Sequence, residues 1–484
     1  MYRQTNGGQH VTTDFDAADL TRMLGDWSHP GAPVSKQLAV GLSELIASSA
    51  LPTGTRLPSQ RDLAQILGLA RGTVGQAYDQ LALDGYIDLQ PGSRARVRGG
   101  AAVLKTTARL RSFSDRADVL DLSSGSLPGL PAVAAAYTSL TAADIEPLVA
   151  GDGYDPMGIL PLRQAIADDL SARGTPTSPD DLLITSGSQQ AVWLCAQLLV
   201  TAGDVALLEE PSYRGAIEAL GNMGARLIGV PVRQDGVDTE ILLHHIERMR
   251  PRLVYLQPTA HNPTGATLPI EKRRALARAL AAHEVTVVED LSSADLLFDS
   301  SPPPTLATVV GSAARVLTIG TASKLWWGGM RVGWIRGEPA VLRRLSEIRK
   351  AVDLAGAPVD QLVAARLTAH AEAARAERRR ELRTGRDLLL SALHERLPSW
   401  SYVTPSGGTG LWIDTGIDSL GLAEAARKVG VRIVAGPAFS VTGGMRTHIR
   451  LPFGQSSQVT HAATALLADA FRAVRSRGAA GQAR

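Results

Sequence analysis

A single lysine, Lys324, stands in a glycine-rich loop whose other side chains suit a phosphate group. Thr321 and Ser323 precede it and Arg331 follows it, so two hydroxyl groups and a guanidinium lie within one short stretch. A lysine amine becomes a nucleophile near pH 7 only where burial or a nearby cation lowers its pKa, and two adjacent tryptophans can supply a dry environment. A Schiff-base lysine beside a phosphate clamp is the arrangement that pyridoxal phosphate requires. The alternative is a surface lysine beside a glycine turn, but the chain has only six lysines among its 50 basic residues.

Polar and aromatic side chains also follow four apolar runs that are typical of buried strands. They are Gly187, Ser188 and Gln189 after 182–185, Tyr213 after 205–208, His261 and Asn262 after 253–256, and Glu289 and Asp290 after 285–288. In a parallel sheet, ligands bind beyond the carboxyl ends of the strands. Free amides at the start of a helix bind phosphate, and a protonated pyridine nitrogen would stabilise an acid at the end of a dry strand. Each stretch alone is also compatible with a turn, a helix cap or core.

From Val119 onward, apolar strands alternate with helical stripes, which predicts a mostly parallel sheet with helices on both faces. The predicted strands lie near 181–184, 205–208, 227–230, 253–256, 285–288 and 316–319, with a helix over 189–200. From about Ala351 the pattern is helix-rich with a small sheet near Leu411 and Arg432, which predicts a smaller C-terminal α/β subdomain. The arginine-rich run 375–386 also carries glutamates, so we interpret it as a solvated helix face rather than a nucleic-acid contact.

The N-terminal part predicts a winged helix-turn-helix. A helical stripe covers 34–49, Ser59 has the spacing of a capping box, and Gly68 ends the second helix. The third helix begins near Arg71, is stopped by Gly85, and buries Val74, Ala77, Tyr78 and Leu81 on one face. A hairpin over 86–98, with its turn at Pro91-Gly92 and a basic second strand, forms the wing. The alternative is a small helical domain for protein contacts.

Two segments carry a resemblance to the GntR-type DNA-binding domain, which covers about 33–98. They are Leu57-Pro-Ser-Gln-Arg-Asp-Leu-Ala64 and Leu67-Gly-Leu-Ala-Arg-Gly-Thr-Val74. The resemblance implies that Arg61, Arg71 and Thr73 contact DNA and that the wing reaches the minor groove. Arg94 and Arg96 make one face of the wing basic. Ala70 stands where the family usually caps the recognition helix with serine or threonine, a loss of about 1 kcal/mol.

Residues 120–475 resemble fold-type I aminotransferases, which use pyridoxal phosphate. The resemblance implies that Lys324 forms the internal aldimine, Asp290 pairs with the pyridine nitrogen, Asn262 bonds the ring hydroxyl and Tyr213 stacks on the ring. It assigns the phosphate to Gly187, Ser188, Gln189, Thr321, Ser323 and Arg331, with Tyr154 reaching the phosphate of a neighbouring subunit. Arg450 takes a substrate carboxylate. Relatives usually carry a tyrosine shortly after the aspartate, where this chain has Leu291, Ser292 and Ser293. His261 either adds a hydrogen bond or is an inert loop histidine.

The two halves together resemble the MocR subfamily of GntR-type transcription regulators. We expect a disordered lead over 1–17, a DNA-binding domain over 18–98, a linker over 99–118 and an aminotransferase-like domain over 119–484, in a cytoplasmic homodimer. Double-stranded DNA and a small amine or amino-acid effector are the expected partners. The alternative is a genuine aminotransferase that acts on a carboxylate-bearing amino compound.

Bulk composition agrees with this expectation. The net charge of +3 is too small to imply nucleic-acid binding by itself, so such binding needs a local basic patch. One cysteine, Cys195, rules out an intrachain disulfide and a cysteine-based metal site, and we expect no metal. Apolar stretches are too short for a membrane span.

Overall fold

The computed structural model describes residues 17–25, 27–28, 33–47, 51, 54–83, 86–89, 94–97, 119–283, 285–298, 301–311 and 315–482. The chain divides into two compact units. The first comprises Met1–Thr106 with Thr442–Arg446, and the second comprises Thr107–Val441 with Thr447–Arg484. Of the predicted lead only Ala17 is described, and the predicted linker over 99–118 lies wholly outside the described residues. The predicted domain boundaries stay predictions.

The described part of the first unit contains four helices and a short antiparallel hairpin. They are α1 (Ala17–Leu24), α2 (Val34–Ala47), α3 (Gln60–Leu67), α4 (Arg71–Leu83), β1 (Ile87–Asp88) and β2 (Arg96–Val97). Ser59 caps α3 by accepting a hydrogen bond from the Asp62 amide, and Gly68 ends it with φ 65°. The apolar face predicted for α4 is buried. The predicted winged helix-turn-helix is therefore confirmed, while Gly85 and the Pro91-Gly92 turn lie outside the described residues.

Helix α1 has no counterpart in the sequence prediction. Its Leu20 and Leu24 are fully buried and belong to the same core as Leu38 and Leu42 of α2. The helix has only eight residues, about two turns, so its periodicity is too short to recognise in the sequence. It completes the core on which the DNA-binding helices rest.

The second unit is an α/β domain followed by a smaller α/β part. Its strands are β3 (Leu120–Asp121), β4 (Leu182–Thr185), β5 (Val205–Glu210), β6 (Arg226–Arg233), β7 (Gly236–Val237), β8 (Leu253–Leu256), β9 (Thr286–Asp290), β10 (Arg315–Thr321), β11 (Gly333–Arg336), β12 (Ser401–Tyr402), β13 (Gly410–Asp414), β14 (Val431–Arg432), β15 (Val434–Ala435) and β16 (His448–Pro452). Every strand predicted from the apolar runs overlaps one of these.

Helices alternate with those strands along the second unit. They are α5 (Pro131–Thr138), α6 (Ala142–Val149), α7 (Leu160–Ala172), α8 (Ser188–Leu199), α9 (Arg214–Asn222), α10 (Thr239–Met249), α11 (Ile270–Ala282), α12 (Leu306–Val310), α13 (Pro339–Lys350), α14 (Pro358–Thr368), α15 (Ala371–Arg396), α16 (Ser419–Lys428) and α17 (Ser457–Gln482). The described residues include no helix that is both long and apolar enough to cross a membrane.

The main sheet has eight strands in the order β4-β11-β10-β9-β8-β5-β6-β7. Strands β10, β9, β8, β5 and β6 are mutually parallel, whereas β11 runs antiparallel to both β10 and β4 and β7 runs antiparallel to β6. The sheet is therefore mostly parallel, as predicted. Because parallel strands end at one edge, the residues that follow β5, β8 and β9 meet there.

The smaller sheet is antiparallel, with the order β12-β13-β16-β15. It contains Leu411 in β13 and Val434 in β15, two residues after Arg432, so the small sheet predicted near Leu411 and Arg432 is present. Arg432 lies in β14, which pairs in parallel with β3 through Val431↔Leu120 and Arg432↔Asp121. The pairing joins segments more than 300 residues apart, which periodicity along the chain does not reveal.

The arginine run of α15 is not the solvated face that its charges suggested. Arg375 is only 4% exposed, and its guanidinium donates to Asp169 at 2.6 Å and to Asp295 at 3.0 Å. Arg378 is also buried and donates to backbone carbonyls, among them Trp326 O at 3.1 Å. The prediction is wrong for these two arginines because Asp169, Asp295 and the Trp326 carbonyl come from distant parts of the chain, whereas Arg380 of the same run is exposed.

Candidate functional site

Lys324 lies in the loop after β10, and the fold surrounds its amine with apolar and cationic groups. Its Nζ donates to the Gly125 carbonyl at 3.0 Å. Burial, helped by the Arg450 guanidinium and opposed by Asp290, lowers the pKa of this amine from 10.5 to about 8. About a tenth of the amine is then unprotonated at pH 7, far more than for an ordinary lysine. The lowered pKa thus favours nucleophilic attack by this amine.

Arg450 of β16 reaches the same place from the smaller sheet. Arg450 is 6% exposed, and the one hydrogen-bond partner that the described residues give its guanidinium is Thr409, whose hydroxyl lies 2.8 Å from Nη2. Burial, with a smaller effect from Arg214, lowers the pKa of Arg450 to about 10. A Cβ at Gly125 would lie 2.3 Å from Nη2, so only glycine leaves room there. A buried guanidinium with a single neutral partner is a site for an anion.

Asp290, the last residue of β9, is held by three donors. Tyr255 Oη donates to Oδ2 at 2.5 Å, Gln257 Nε2 donates to Oδ2 at 3.1 Å, and the Ser292 amide donates to Oδ1 at 2.8 Å. The acid pair predicted at this strand end divides, because neighbouring residues of a strand point to opposite faces. Glu289 instead accepts from the Leu306 amide at 2.7 Å and lies near Arg273.

The loop between β4 and α8 has the form of an anion cradle. Gly187 has φ 87°, and a Cβ at Gly333 would lie 2.6 Å from the Gly187 carbonyl carbon and 2.8 Å from the Ser188 amide nitrogen, so β11 passes directly beneath this loop. Arg331 Nη2 donates to Ser186 O at 2.5 Å. The start of α8 and a guanidinium therefore lie together, which is a favourable arrangement for phosphate.

The side chains of Tyr213 and Gln189 form a hydrogen bond with each other. The Tyr213 hydroxyl lies 2.7 Å from Gln189 Oε1, and Gln189 Nε2 donates to Gly215 O at 3.2 Å. The Gln189 side chain is therefore occupied by its bonds to Tyr213 and Gly215. The backbone amide of Gln189 is the group that can still donate to a phosphate. A Cβ at Gly215 would meet both side chains, so the close approach requires glycine.

Asn262 lies after β8 at the same edge of the sheet. Its backbone amide donates to Gln257 Oε1 at 3.3 Å, while its side-chain Oδ1 is buried and has no hydrogen-bond partner among the described residues. His261 beside it faces protein: its Nδ1 lies 2.8 Å from Thr264 Oγ1, and its Nε2 lies 3.5 Å from Glu209 Oε2. Burial lowers the pKa of His261 to about 3 and raises that of Glu209 to about 8.

The remaining predicted cofactor residues differ in exposure. Thr321 is buried, and its Oγ1 lies 3.0 Å from Ser323 Oγ and 3.2 Å from Val332 O. Tyr154 is 62% exposed, so within this chain its ring is open to a partner. Of the two tryptophans beside Lys324, Trp326 is buried but Trp327 is 43% exposed. The dry environment expected around Lys324 therefore comes from Trp326 and the wider core rather than from both tryptophans.

The sequence analysis missed four residues of this site. Gly125 and Thr409 contact the lysine and the arginine but lie in unremarkable glycine-containing loops. Tyr255 and Gln257 hold Asp290, and Tyr255 was seen only as an apolar member of a strand. The alternation of a strand was an available signal, because it places 255 and 257 on the same face.

In the first unit, the predicted DNA contacts are on the surface. Arg61, Arg71, Arg94 and Arg96 are exposed and Thr73 is partly buried. Across the described ranges none of these four arginines forms an ion pair or a side-chain hydrogen bond, whereas the exposed Arg22 of α1 pairs with Asp19. Free exposed guanidinium groups are the groups that meet phosphates and base edges.

Arg56 is a further basic residue of the wing that sequence reasoning did not select. Its backbone bridges to Arg96 in antiparallel fashion, and the Val97 amide of β2 donates to Thr55 O beside it at 2.8 Å. Residues directly opposite each other project to the same face. Arg56 is exposed beside Arg96, so it widens the basic face of the wing.

These residues fit pyridoxal phosphate. Lys324 provides a reactive amine, the cradle at Gly187 suits the phosphate, and Asp290 is a carboxylate at the end of a buried strand. The partnerless Oδ1 of Asn262 and the Arg450 guanidinium, with one neutral partner, are polar groups for which the described residues offer no full complement.

Comparison with known protein families assigns both units. Residues 117–466 match the model of class I and II aminotransferases. Residues 34–97 match the model of bacterial regulatory proteins of the gntR family. The two matches cover the second unit and the helix-turn-helix respectively.

The similar proteins include both transcription regulators and an aminotransferase. The HTH-type transcriptional regulator YisV of Bacillus subtilis is 28% identical over 455 residues, which is 88% of this chain and 93% of that protein. The probable rhizopine catabolism regulatory protein MocR of Rhizobium meliloti is 29% identical over 63% of this chain and 65% of its own length. A crystal structure of the α-aminoadipate aminotransferase LysN from Thermus thermophilus, complexed with N-(5'-phosphopyridoxyl)-L-leucine, is 28% identical with a TM-score of 0.67, covering 74% of this chain and 94% of that one.

Proposed function

The chain belongs to the class I and II aminotransferase family and carries a gntR-family domain at its N-terminus, and from this we propose that it is a transcription regulator whose DNA binding responds to an amine. Both parts of the chain support this. The helix-turn-helix presents free arginines, and the second unit contains a lysine with a lowered pKa beside a buried arginine. Full-length relatives of the same architecture are HTH-type regulators. A location in the cytoplasm, where promoter DNA is accessible, belongs to the same proposal.

The cofactor is pyridoxal phosphate, which the family and its solved neighbours indicate. When bound it supplies an aldehyde that combines with primary amines and a ring that withdraws electrons. In our proposal Lys324 holds it covalently, Asp290 faces the ring nitrogen, Asn262 the ring oxygen and Tyr213 the ring plane. The phosphate belongs to Gly187, Ser188, Gln189, Thr321, Ser323 and Arg331, with Tyr154 completing the site of a second copy.

Arg450 selects the effector. Its guanidinium and the Lys324 amine both lie against Gly125, so a molecule that carries a primary amine and a carboxylate can engage both. An effector amine would meet the position of the Lys324 amine, and its carboxylate would pair with Arg450; bound pyridoxal phosphate would supply the aldehyde that either amine can occupy. These contacts differ between the free and effector-bound states, as any shift of a conformational equilibrium requires. A typical coupling of about 1–3 kcal/mol would change DNA affinity roughly 5–150-fold.

A homodimer follows from the role proposed for Tyr154. The exposed ring has a function only if a second copy offers a phosphate site to it. A dimer presents two winged helices, so the DNA site should contain two half-sites about a whole number of helical turns apart. Sedimentation of the cofactor-bound protein at micromolar concentration tests this, and a monomer would contradict it.

The single observation that carries the proposal is Lys324, with its lowered pKa, beside Arg450 and the cradle at Gly187. Borohydride reduction of the cofactor-loaded protein, followed by peptide mass spectrometry, tests it directly. We expect the reduced cofactor on Lys324 and no covalent adduct in Lys324→Ala. Lys272→Ala, which removes a partly exposed lysine paired with Asp235, is the matched control and should label like the wild type. An adduct on another lysine would refute the proposed site.

The same preparation separates a regulator from a genuine aminotransferase. Incubation with amino acids and a keto acid measures amino transfer, and DNA binding is measured in parallel. A regulator binds its DNA site tightly whether or not amino groups are turned over. Efficient turnover without specific DNA binding would instead support the enzyme.

A further inference from the structure

Two buried side chains of one strand region converge on the same oxygen of Asp290. The Tyr255 hydroxyl lies 2.5 Å from Oδ2 and the Gln257 amide nitrogen lies 3.1 Å from it. Tyr255, Gln257 and Asp290 are all almost fully buried, so water does not compete for these bonds. A charge-assisted hydrogen bond in a buried place is stronger and better defined than one at the surface.

The Gln257 side chain also reaches the second residue proposed to contact the cofactor ring. Its Oε1 accepts from the Asn262 amide at 3.3 Å, while its Nε2 donates to Asp290. Its own backbone amide donates to Glu209 Oε2 at 2.6 Å, which fixes the start of the side chain. The Gln257 carboxamide therefore links Asp290, the residue proposed for the ring nitrogen, to the loop of Asn262, the residue proposed for the ring oxygen.

The strand register explains why these groups meet. Strands β8 and β9 are parallel neighbours with Tyr255 opposite Val288, and side chains two residues apart lie on one face. Tyr255, Gln257 and Asp290 therefore share a face. A carboxylate offers about four lone-pair directions, and three are taken by Tyr255, Gln257 and the Ser292 amide. The orientation of the carboxylate is then fixed, with about one direction left for a ligand.

We propose that Tyr255 and Gln257 are positioning residues that orient Asp290 and Asn262 toward the ring of the cofactor. This inference rests on the proposed cofactor role of Asp290. Neither side chain touches the cofactor in this scheme; both act through the residues that do. Their effect is to set how Asp290 meets the ring nitrogen, and the visible absorption of bound cofactor depends on that contact. This arrangement does not depend on the tyrosine that relatives carry shortly after the aspartate.

The test compares Tyr255→Phe with Tyr137→Phe. Both changes remove one hydroxyl that donates to a carboxylate in the second unit, but the Tyr137 hydroxyl donates to Asp360, between α5 and α14. The dissociation constant of pyridoxal phosphate is measured by equilibrium dialysis, and the visible band of the bound cofactor is titrated with pH. We expect Tyr255→Phe to weaken cofactor binding about tenfold and to displace the midpoint of the spectral titration. Tyr137→Phe should match the wild type in both.

Gln257→Glu provides a second variant of nearly the same shape. It replaces the amide donor by a carboxyl group beside Asp290, so two like charges meet unless one carboxyl is protonated. We expect cofactor binding about 100-fold weaker at pH 8 and a partial recovery toward pH 5, where a protonated carboxyl again donates. The wild type should not recover in this way.

The outcomes separate this inference from the function it rests on. If the wild type does not bind the cofactor, the proposed site itself fails. If the wild type binds it and Tyr255→Phe keeps the wild-type dissociation constant and spectral midpoint, the positioning role is overturned. If Tyr137→Phe shifts as much as Tyr255→Phe, the effect is a general loss of stability and the inference is equally overturned.

Discussion

Arginine side chains have opposite environments in the two units of this chain. In the helix-turn-helix, Arg61, Arg71 and Arg96 are exposed and have no side-chain partner among the residues that the structure describes. In the second unit, Arg375 and Arg378 are buried among carboxylates and carbonyl oxygens. The residue type is the same, yet only the first group is available to phosphate. The contrast shows that a count of basic residues does not distinguish accessible arginines from structural ones, whereas their exposure and partners do.

Arg450 stands between these extremes. It is buried like Arg375, but its hydrogen-bond partner among the described residues is one threonine hydroxyl rather than an acid. Burial of a charge without a counter-charge is costly, so such a group persists where it serves a ligand. The structural arginines and those proposed to bind ligand or DNA thus differ in the partners that the described residues give them.

The largest effect expected from this comparison is on stability. Arg375→Ala removes one of the two cations, the other being Arg173, that pair with Asp169 and Asp295, and it should cost about 3 kcal/mol, the low end for a broken buried pair. Arg278→Ala, at an exposed position of α11, should change stability by less than about 0.5 kcal/mol. Urea unfolding followed by circular dichroism measures both. Equal midpoints for the two variants would break the distinction between buried and exposed arginines.

DNA affinity should respond to the exposed arginines instead. Arg71→Ala should cost about 1–3 kcal/mol of specific binding and relax the preference at one base position, because this residue begins the recognition helix α4. Fluorescence anisotropy with a DNA site located by footprinting, and with single-base variants of it, measures the change. Arg22→Ala in the same unit removes an arginine already paired with Asp19 and should bind DNA normally. A comparable loss in Arg22→Ala would contradict the assignment.

The lysine site should show its own pH dependence. Only the unprotonated amine attacks the cofactor, so the attachment rate should fall about tenfold per pH unit below the Lys324 pKa and level off above about 8. Arg450→Met removes a guanidinium that lowers this pKa, so the midpoint should move upward and attachment at pH 7 should slow by about threefold or more. Stopped-flow absorbance measures both rates. A downward shift in Arg450→Met would contradict the electrostatic argument.

The smallest expected effect belongs to the wing. Arg96→Ala should weaken binding to all sequences alike and reduce the salt slope of the affinity by about 1, because one phosphate contact is lost. Arg56→Ala should behave similarly, since the two residues lie opposite each other. Affinities measured for specific and random DNA between low and high salt decide this. A loss confined to the specific site would instead indicate base reading by Arg96.

Much of the fold followed from local patterns. Apolar runs located the strands from Leu182 to Thr321, and the capping serine and terminal glycine located helix α3, because these signals depend on neighbouring residues only. The arrangement of Asp290, Asn262 and Tyr213 at one edge followed from the rule for parallel sheets. What failed was non-local: Lys324 meets Gly125 across 199 positions, and Arg375 finds Asp169 across 206. Spacing along the chain carries no record of such contacts.

The prediction for α15 failed for the same reason. Its glutamates and arginines alternate as on a solvated helix, and the sequence does not show that Asp295 and the Trp326 carbonyl lie against it. Likewise, Tyr255 looks like an ordinary strand residue until β9 brings Asp290 to its hydroxyl. The candidate residues of the site could be selected from the sequence, while the residues that hold them in place needed the fold.

The central claim is that an amine changes DNA binding through Lys324 and Arg450. The most direct measurement titrates the protein–DNA complex with a panel of amino acids and follows anisotropy for the wild type, Lys324→Ala and Arg450→Ala. The wild type should change its DNA affinity roughly 5–150-fold with an effective amino acid. Lys324→Ala should bind DNA normally yet not respond, and Arg450→Ala should respond only at much higher effector concentration. A response of Lys324→Ala equal to that of the wild type would contradict the claim.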